Sequence, residues 1–401
     1  MSDQSDLKEF ADVDSQNKEQ DSVDWEERIF SDVIKINDYP SLEKGEEQTH
    51  VGMKHIEENV RKIQKTVKKE YKYSKPRFEN GDTLFARITP CLENGKTAFV
   101  DILDEGEAAT GSTEFLVMSA TEDVLPKFVY YTARRPDVRQ FAIKRMTGSS
   151  GRQRVPTDVF DNISIKIPPL EEQEKIVGFL DAIDTKIETN DRIIELCDSI
   201  SQTIFSYWFE SFSPYDEFKD TEEGDIPQEF SVAEIGDVCS FEYGEKLTKD
   251  EREGDEYPVY GSNGITGWHK ESLIDGPGII VGRKGVNFGS INLEMGDFWP
   301  IDTTFYIEPN NESELFYVYH LLRTVPFDHL GSDSAVPGLN RNVAEDQDIA
   351  LPPEKARREF SNLVRPFHKK SHELRSENNT LSGLRDTILP KLLTGKIRLN
   401  V

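Results

Sequence analysis

The chain has 401 residues, enough for two or three domains with cores of their own, and no run in it is long or apolar enough to cross a membrane. Its formal net charge is −27, from 75 acidic residues against 48 basic ones, and acidic chains do not usually approach nucleic acid. Cys91, Cys197 and Cys239 are too few and too scattered for a disulfide framework or a cysteine metal site, and no charged-then-apolar leader opens the chain, so a reducing cytoplasm is expected.

Two explanations of the charge stay open. One is a halophilic composition, in which excess surface carboxylates keep the protein soluble in a salt-rich cytoplasm where charges are heavily screened. The other is a protein that never meets nucleic acid. The cations, however, are grouped. Arg61 to Arg77 holds Arg61, Lys62, Lys65, Lys68, Lys69, Lys72, Lys75 and Arg77 against Glu70 alone, and Lys127 to Arg154 is similarly basic.

Residues 1–22 are polar and acidic and read as a disordered tail. Residues 23–168 read as a first α+β domain. Thr83–Ile88, Thr97–Ile102 and Phe115–Met118 alternate as strands do, Lys127–Met146 is helical with an interruption near Pro136, and Gly148–Gly151 is a turn before the strand Ile163–Ile167. Residues 169–212 form a long helix. Residues 213–352 read as a second α+β domain, with strands at Val259–Tyr260, Gly278–Gly282 and Thr304–Ile307, a helix at Glu314–Thr324 and a Gly331–Ser334 turn in the place of the earlier one. Residues 353–398 form a second long helix.

The long helices are repeats. Pro168-Pro169 and Pro352-Pro353 are 184 residues apart (352 minus 168), and the stretch from Gln202 falls on that from Asp386 at the same offset. Each Pro-Pro suits a helix start, where proline's fixed φ fits and its missing N–H costs nothing, and carboxylates at Glu171, Glu172 and Glu354 complement the helix dipole. A heptad seam runs through Ile176, Leu180, Ile183, Ile187, Asn190, Ile194, Cys197, Ser201, Ile204 and Trp208. Its counterpart is Phe360, Val364, Phe367, Ser371, Leu374, Asn378, Leu381, Arg385, Ile388 and Leu392.

Catalytic patterns fail on inspection. Gly95-Lys96-Thr97 lacks the phosphate-loop glycine, since Pro90 stands there. Gly276-Pro277-Gly278 precedes a strand where a dinucleotide fingerprint would follow one. His368 and His372 read as exposed polar positions on a helix rather than metal ligands. Glu70-Tyr71-Lys72 has no Pro-Asp before it, and no Asn-Pro-Pro-aromatic or Asp-Pro-Pro-aromatic run marks adenine methylation. Binding features remain. Gly282-Arg283-Lys284-Gly285 sets two cations on a loop suited to phosphate or to a guanine edge. Arg152 and Arg154 lie on a similar loop, and Asn340-Arg341-Asn342 is taken as its equivalent in the second half. Arg87, Lys96, Arg145 and Lys246 complete the set of candidate DNA contacts.

These stretches resemble the specificity subunit of type I restriction-modification enzymes, from Trp25 onward. Pro168-Pro169-Leu170-Glu171-Glu172-Gln173-Glu174-Lys175-Ile176 is similar to its central region, and Leu384 through Ile397 to its C-terminal one. Gly81 through Pro90 and Tyr260-Gly261-Ser262-Asn263-Gly264 resemble motifs of its target recognition domains. Glu354-Lys355-Ala356-Arg357-Arg358 departs, lacking the Leu-x-Glu-Gln of the first copy.

The resemblance implies two target recognition domains, held apart by two long helices paired as an antiparallel coiled coil with a pseudo-twofold repeat. Each domain reads one half of an asymmetric double-stranded DNA site. Two modification subunits carrying S-adenosylmethionine and restriction subunits using ATP and Mg would join a chain that is itself no enzyme and holds no metal. A stand-alone methyltransferase or nuclease, and a coiled-coil scaffold that binds no DNA, are the rivals. Antiparallel pairing with Asn190 opposite Asn378 sets Ile176 against Leu392, Leu180 against Ile388, Ile187 against Leu381, Ile194 against Leu374, Ile204 against Val364 and Trp208 against Phe360. Arg385 then faces Ile183, its stem packed and its charge expected to reach water.

Overall fold

The computed structural model describes residues 25–43, 45–72, 76–149, 151–222, 224–331 and 337–399. The acidic tail at residues 1–22, Lys75, Ser150 of the first turn and Ser332 to Ser334 of the second lie outside the described residues. The chain forms two compact units. Unit 1 takes the described residues up to Ile187 and from Thr380 on, and unit 2 is Glu188–Asn379, so the division falls within both long helices.

Unit 1 contains two four-stranded sheets. In one, Thr83–Ala86 lies between Phe115–Ala120 and Thr97–Phe99, with Ile34–Ile36 outermost. In the other, Glu47–Val51 pairs antiparallel with Val67–Glu70 and parallel with Ala108–Gly111. Helix Pro126–Arg134 covers the first sheet and Pro136–Ile143 packs against that helix, each opened by its proline. Phe30, Phe85, Phe128, Tyr130, Tyr131 and Phe160 fill the core. Leu389, Leu392 and Leu393 of the second helix join Ile176 and Leu180 of the first in that same core. Trp25 donates to Glu172 (2.8 Å), lies against Gly395 and carries the Arg398 guanidinium over its ring, so both ends of the described chain close on unit 1.

Unit 2 repeats the plan. Gly278–Gly282 lies between Thr304–Pro309 and Ile291–Glu294, with Cys239–Tyr243 outermost. Tyr257–Gly261 pairs antiparallel with Gly264–His269 and parallel with Trp299–Pro300. Helix Leu315–Thr324 packs behind, and its core is aromatic around Phe205, Phe209, Tyr317 and Phe360.

The long helices run Leu170–Phe205, followed by a π-type turn Ser206–Glu210, and Glu354–Leu392. Both stop short of the expected 212 and 398. The second ends where Gly395 takes a left-handed φ of 70° and donates to the Leu392 carbonyl, a conformation that glycine enters without steric cost. Within each unit the helix segments pair antiparallel. In unit 2 the Asn190 amide donates to Asn378 Oδ1 (2.8 Å) and Glu377, while the Asn378 amide donates to Asp191. One buried amide bonds the other, and neighbouring carboxylates take their further N–H groups, in a seam that would otherwise strand them. Towards its end the first helix departs from the heptad reading. Phe205 and Phe209 are buried, with Ile204 and Trp208 only half-buried, because the aromatic core of unit 2 claims the larger rings. Ile388 is likewise half-buried beside the buried Leu389.

Three sequence readings are corrected here. Arg385 does not reach water. It is 4% exposed and ion-paired with the buried Asp184 (2.6 Å), which also accepts from Tyr131 (2.9 Å). Burial works against its charge, yet Asp184 and Asp386 hold it firmly protonated. His368 is buried, and its Nε2 meets Nε2 of His320 at 3.0 Å. Finally, the departing second helix start is complete in its own way. In the first copy the Gln173 amide donates to the Pro168 and Asp123 carbonyls and accepts from the Leu125 N–H, ahead of the Pro126–Arg134 helix. Arg357, 184 residues on (357 minus 173), donates to the Pro352 carbonyl and pairs with Glu314, just ahead of the Leu315–Thr324 helix. An ion pair replaces an amide at the same joint.

Candidate nucleic-acid interface

In unit 1 the central strand Thr83–Ala86 delivers Arg87 to its end. Arg87 N donates to the Glu114 carbonyl (2.9 Å), and Val155 N donates to the Arg87 carbonyl (2.8 Å). In unit 2 the central strand Gly278–Gly282 delivers Arg283. Arg283 N donates to the Thr303 carbonyl (2.8 Å), and Leu339 N donates to the Arg283 carbonyl (2.9 Å). The next residues bridge in turn, Ile88 with Arg154 and Lys284 with Gly338. Both pairs of frame residues keep the helix offset (339 minus 155 and 338 minus 154 are each 184). A single backbone frame therefore presents an arginine in each unit.

This frame corrects an assumed equivalence. Gly338, not Asn340–Asn342, occupies the place of Arg154. A Cβ at Gly338 would stand 3.0 Å from the Arg283 carbonyl, a tight contact that the glycine avoids. Gly282 is needed for a similar reason, since a Cβ would fall 2.6 Å from the Asn287 carbonyl.

The side chains diverge. Arg87 donates to the Val155 carbonyl (2.6 Å), while its Nε is buried without a hydrogen-bond partner. Arg154 forks onto Glu114 (2.7 and 2.8 Å), a bond that raises its pKa. Arg152 is exposed in the adjoining turn, and Arg145 lies 3.6 Å over the Phe141 ring. Lys96 turns away from this cluster to the Met53 carbonyl (3.3 Å). In unit 2, Arg283, Lys284 and Arg341 line one hollow of about 440 Å³ with Tyr243, Phe305 and Asn340. The Arg283 guanidinium lies 4.9 Å over Tyr243, a ring that is half exposed, and Lys284 is exposed. Arg341 is held by Glu242 (3.1 Å) and Glu345 (3.0 Å), and Glu345 also accepts from Phe241 N. Arg341 thus clamps its short helix onto the outer strand. Lys246 is exposed but outside the hollow.

Tyr243, Glu114 and Glu242 escaped the sequence reading. Each is a lone residue with no motif around it, and only strand register brings it beside its arginine. Among the described residues no cluster of three or more histidine, cysteine or carboxylate groups could hold a metal, and no helix is long and apolar enough to cross a membrane.

Comparison with known proteins agrees with this duplicated frame. The type I restriction modification DNA specificity domain matches residues 22–196 and again 227–379. The chain belongs to that family. It is 40% identical over 114 residues to the EcoAI specificity subunit of Escherichia coli, a stretch that spans 28% of this chain and only 18% of that protein. It is 25% identical over 304 residues to the MjaIX specificity subunit of Methanocaldococcus jannaschii, covering 69% of this chain and 70% of the relative. Among solved structures, the type I S subunit from M. genitalium shares the fold at a TM-score of 0.59, with 18% identity over 94% of this chain and 98% of the other. As a type I specificity subunit, the chain carries the family domain twice, the first copy running into the helix that begins at Leu170.

Proposed function

We propose that this specificity subunit is the non-catalytic DNA reader of its complex, each unit taking one half of a bipartite, asymmetric double-stranded site. The duplicated strand-end frame carries this reading. One scaffold supplies an arginine at the same point twice, and the surrounding side chains differ, as unlike half-sites require. Arg283 and Lys284 are the base-reading and phosphate-binding candidates in unit 2, and Arg87, Arg152 and Arg154 in unit 1. Arg341 acts by positioning. Methyl transfer from S-adenosylmethionine belongs to modification subunits, and ATP and Mg chemistry to restriction subunits. The surplus of carboxylates suits a salt-rich cytoplasm.

Docking of two modification subunits is supported by the helices. Phe179 and Leu363 are exposed at positions 184 apart (363 minus 179), as are Ile200 and Leu384 (384 minus 200). Phe179 and Leu384 belong to unit 1, and Ile200 and Leu363 to unit 2. An apolar pair left uncovered twice by the same repeat fits two copies of one partner.

Arg283→Ala tests the DNA reading. If Arg283 reads a base, binding weakens by about 1–3 kcal/mol and methylation mapping shows one position of one half-site relaxed. A uniform loss across sequences assigns it to phosphate, and no loss of either kind removes it from the interface.

A further inference from the structure

A second basic surface lies in unit 1, apart from the strand-end cluster. From Lys54 to Lys72 the chain carries seven cations (Lys54, Arg61, Lys62, Lys65, Lys68, Lys69, Lys72) and three carboxylates (Glu57, Glu58, Glu70), a local +4 within a chain of −27. Some of these cations are already engaged. Arg61 pairs with Asp181, Lys68 with Glu107 and Lys72 with Glu70. Lys54, Lys65 and Lys69 are exposed and have no ion-pair partner among the described residues.

The backbone holds these three firmly. Lys69 lies on the outer strand Val67–Glu70, opposite Gln48. Lys65 follows Gln64, whose N–H donates to the His55 carbonyl (2.9 Å), and Lys54 sits in the tight turn Met53–His55. Each of the three acts electrostatically on His55, which is 3% exposed. Its Nδ1 accepts from Gly52 N (3.0 Å), so Nε2 carries the proton, and Nε2 is buried without a partner. Burial first, and then Lys54, Lys69 and Lys65, lower the His55 pKa. Like charges around a neutral imidazole repel one another in the free protein, and a polyanion would relieve that repulsion. Lys96, which donates to the carbonyl of Met53 next to Lys54, adds a further cation beside this surface. Unit 2 differs at the corresponding strand among the described residues. Its corresponding outer strand, Gly264–His269, exposes Ile265 and Trp268 instead.

We propose that Lys54, Lys65 and Lys69 form a phosphate-binding track for the backbone of double-stranded DNA, adding sequence-independent affinity to unit 1 alone. The proposal rests on the DNA-reading function above. It is tested with the full chain assembled with its modification subunits, using duplexes that hold either the mapped site or a scrambled one. In the Lys54→Gln/Lys65→Gln/Lys69→Gln variant, the slope of log affinity against log salt should fall by about 2–3, at roughly 0.9 for each phosphate no longer neutralised by a lysine. Affinity at low salt should drop by a similar factor on both duplexes, and the methylated sequence should be unchanged. The triple Arg variant should restore the slope, and wild-type His55 should titrate at higher pH once DNA is bound. An unchanged slope with normal DNA binding overturns the track and leaves the reading function standing, as does a loss confined to the cognate duplex or a stronger effect on RNA than on DNA. Wild-type complex that binds neither duplex overturns both.

Discussion

In unit 1, Tyr131 donates to Asp184, and Asp184 pairs with Arg385. In unit 2, the His320–His368 pair and Ser201 occupy the same layer of the fold. The correspondence follows the repeat. His368 follows Asp184 by 184 residues, Arg385 follows Ser201 by 184 (385 minus 201), and Tyr131 and His320 are each the sixth residue of the helix packed behind the sheet. One unit fills the layer with a buried ion pair and the other with neutral imidazoles. His320 Nδ1 meets Gln202 Oε1 (3.1 Å), so Nδ1 donates there and His320 Nε2 accepts from His368. Burial, reinforced by the neighbouring imidazole and Arg323, lowers the His320 pKa to about 3, and burial lowers that of His368 to about 4. The repeat thus keeps the place of a polar layer while exchanging its charge, which makes the two units answer differently to mutation and to acid.

The largest consequence is expected at Arg385. Arg385→Ala strands Asp184 in the core and should destabilise unit 1 by about 3–5 kcal/mol in chemical unfolding. Ser201→Ala at the corresponding place removes one bond to the Cys197 carbonyl and should cost roughly 1 kcal/mol or less. Equal losses would mean that the ion pair is solvated after all. Acid should reverse the order. Both imidazoles have folded pKa values below the ordinary 6.5, so the unfolded chain takes up protons first. Their contribution is intact above that value and is lost as pH falls below it. From pH 6.5 to 5.5 the two together should cost unit 2 about 2 kcal/mol. Amide hydrogen exchange followed separately in residues 188–379 reads this loss, and parallel weakening of both units would contradict it. A smaller effect than either the ion pair or acid concerns the seam near the division. Asn190→Leu leaves Asn378 without its amide partner and should cost roughly 1–2 kcal/mol. Leucine at both positions should recover that stability while loosening helix register, which paired spin labels on the two helices would detect.

Much of this architecture was open to a reader of the sequence alone. Heptad spacing places Ile176, Leu180 and Asn190 on one seam, and the 184-residue offset survives in hydrogen bonds as far from the Pro-Pro pairs as Arg154 and Gly338. What escaped depends on contacts between residues distant in the chain. Asp184 stands one place off the seam, so Arg385 read as unpartnered. His320 and His368 are 48 residues apart, with nothing in either local pattern to join them. At the interface, the cations were visible but not their fates. Arg341 and Arg154 meet carboxylates supplied by other parts of the chain, whereas Arg283 rests on an aromatic ring.

The closure of Trp25 onto Gly395 and Arg398 also sets an order of synthesis. Unit 2 is one uninterrupted segment, whereas unit 1 needs the leucines at 389, 392 and 393 for its core. A growing chain usually matures from its N-terminus forward. Here the unit begun first is finished last, its core left open while more than half of the protein is still being made. On stalled ribosomes, protease resistance should reach residues 188–379 before residues 25–187.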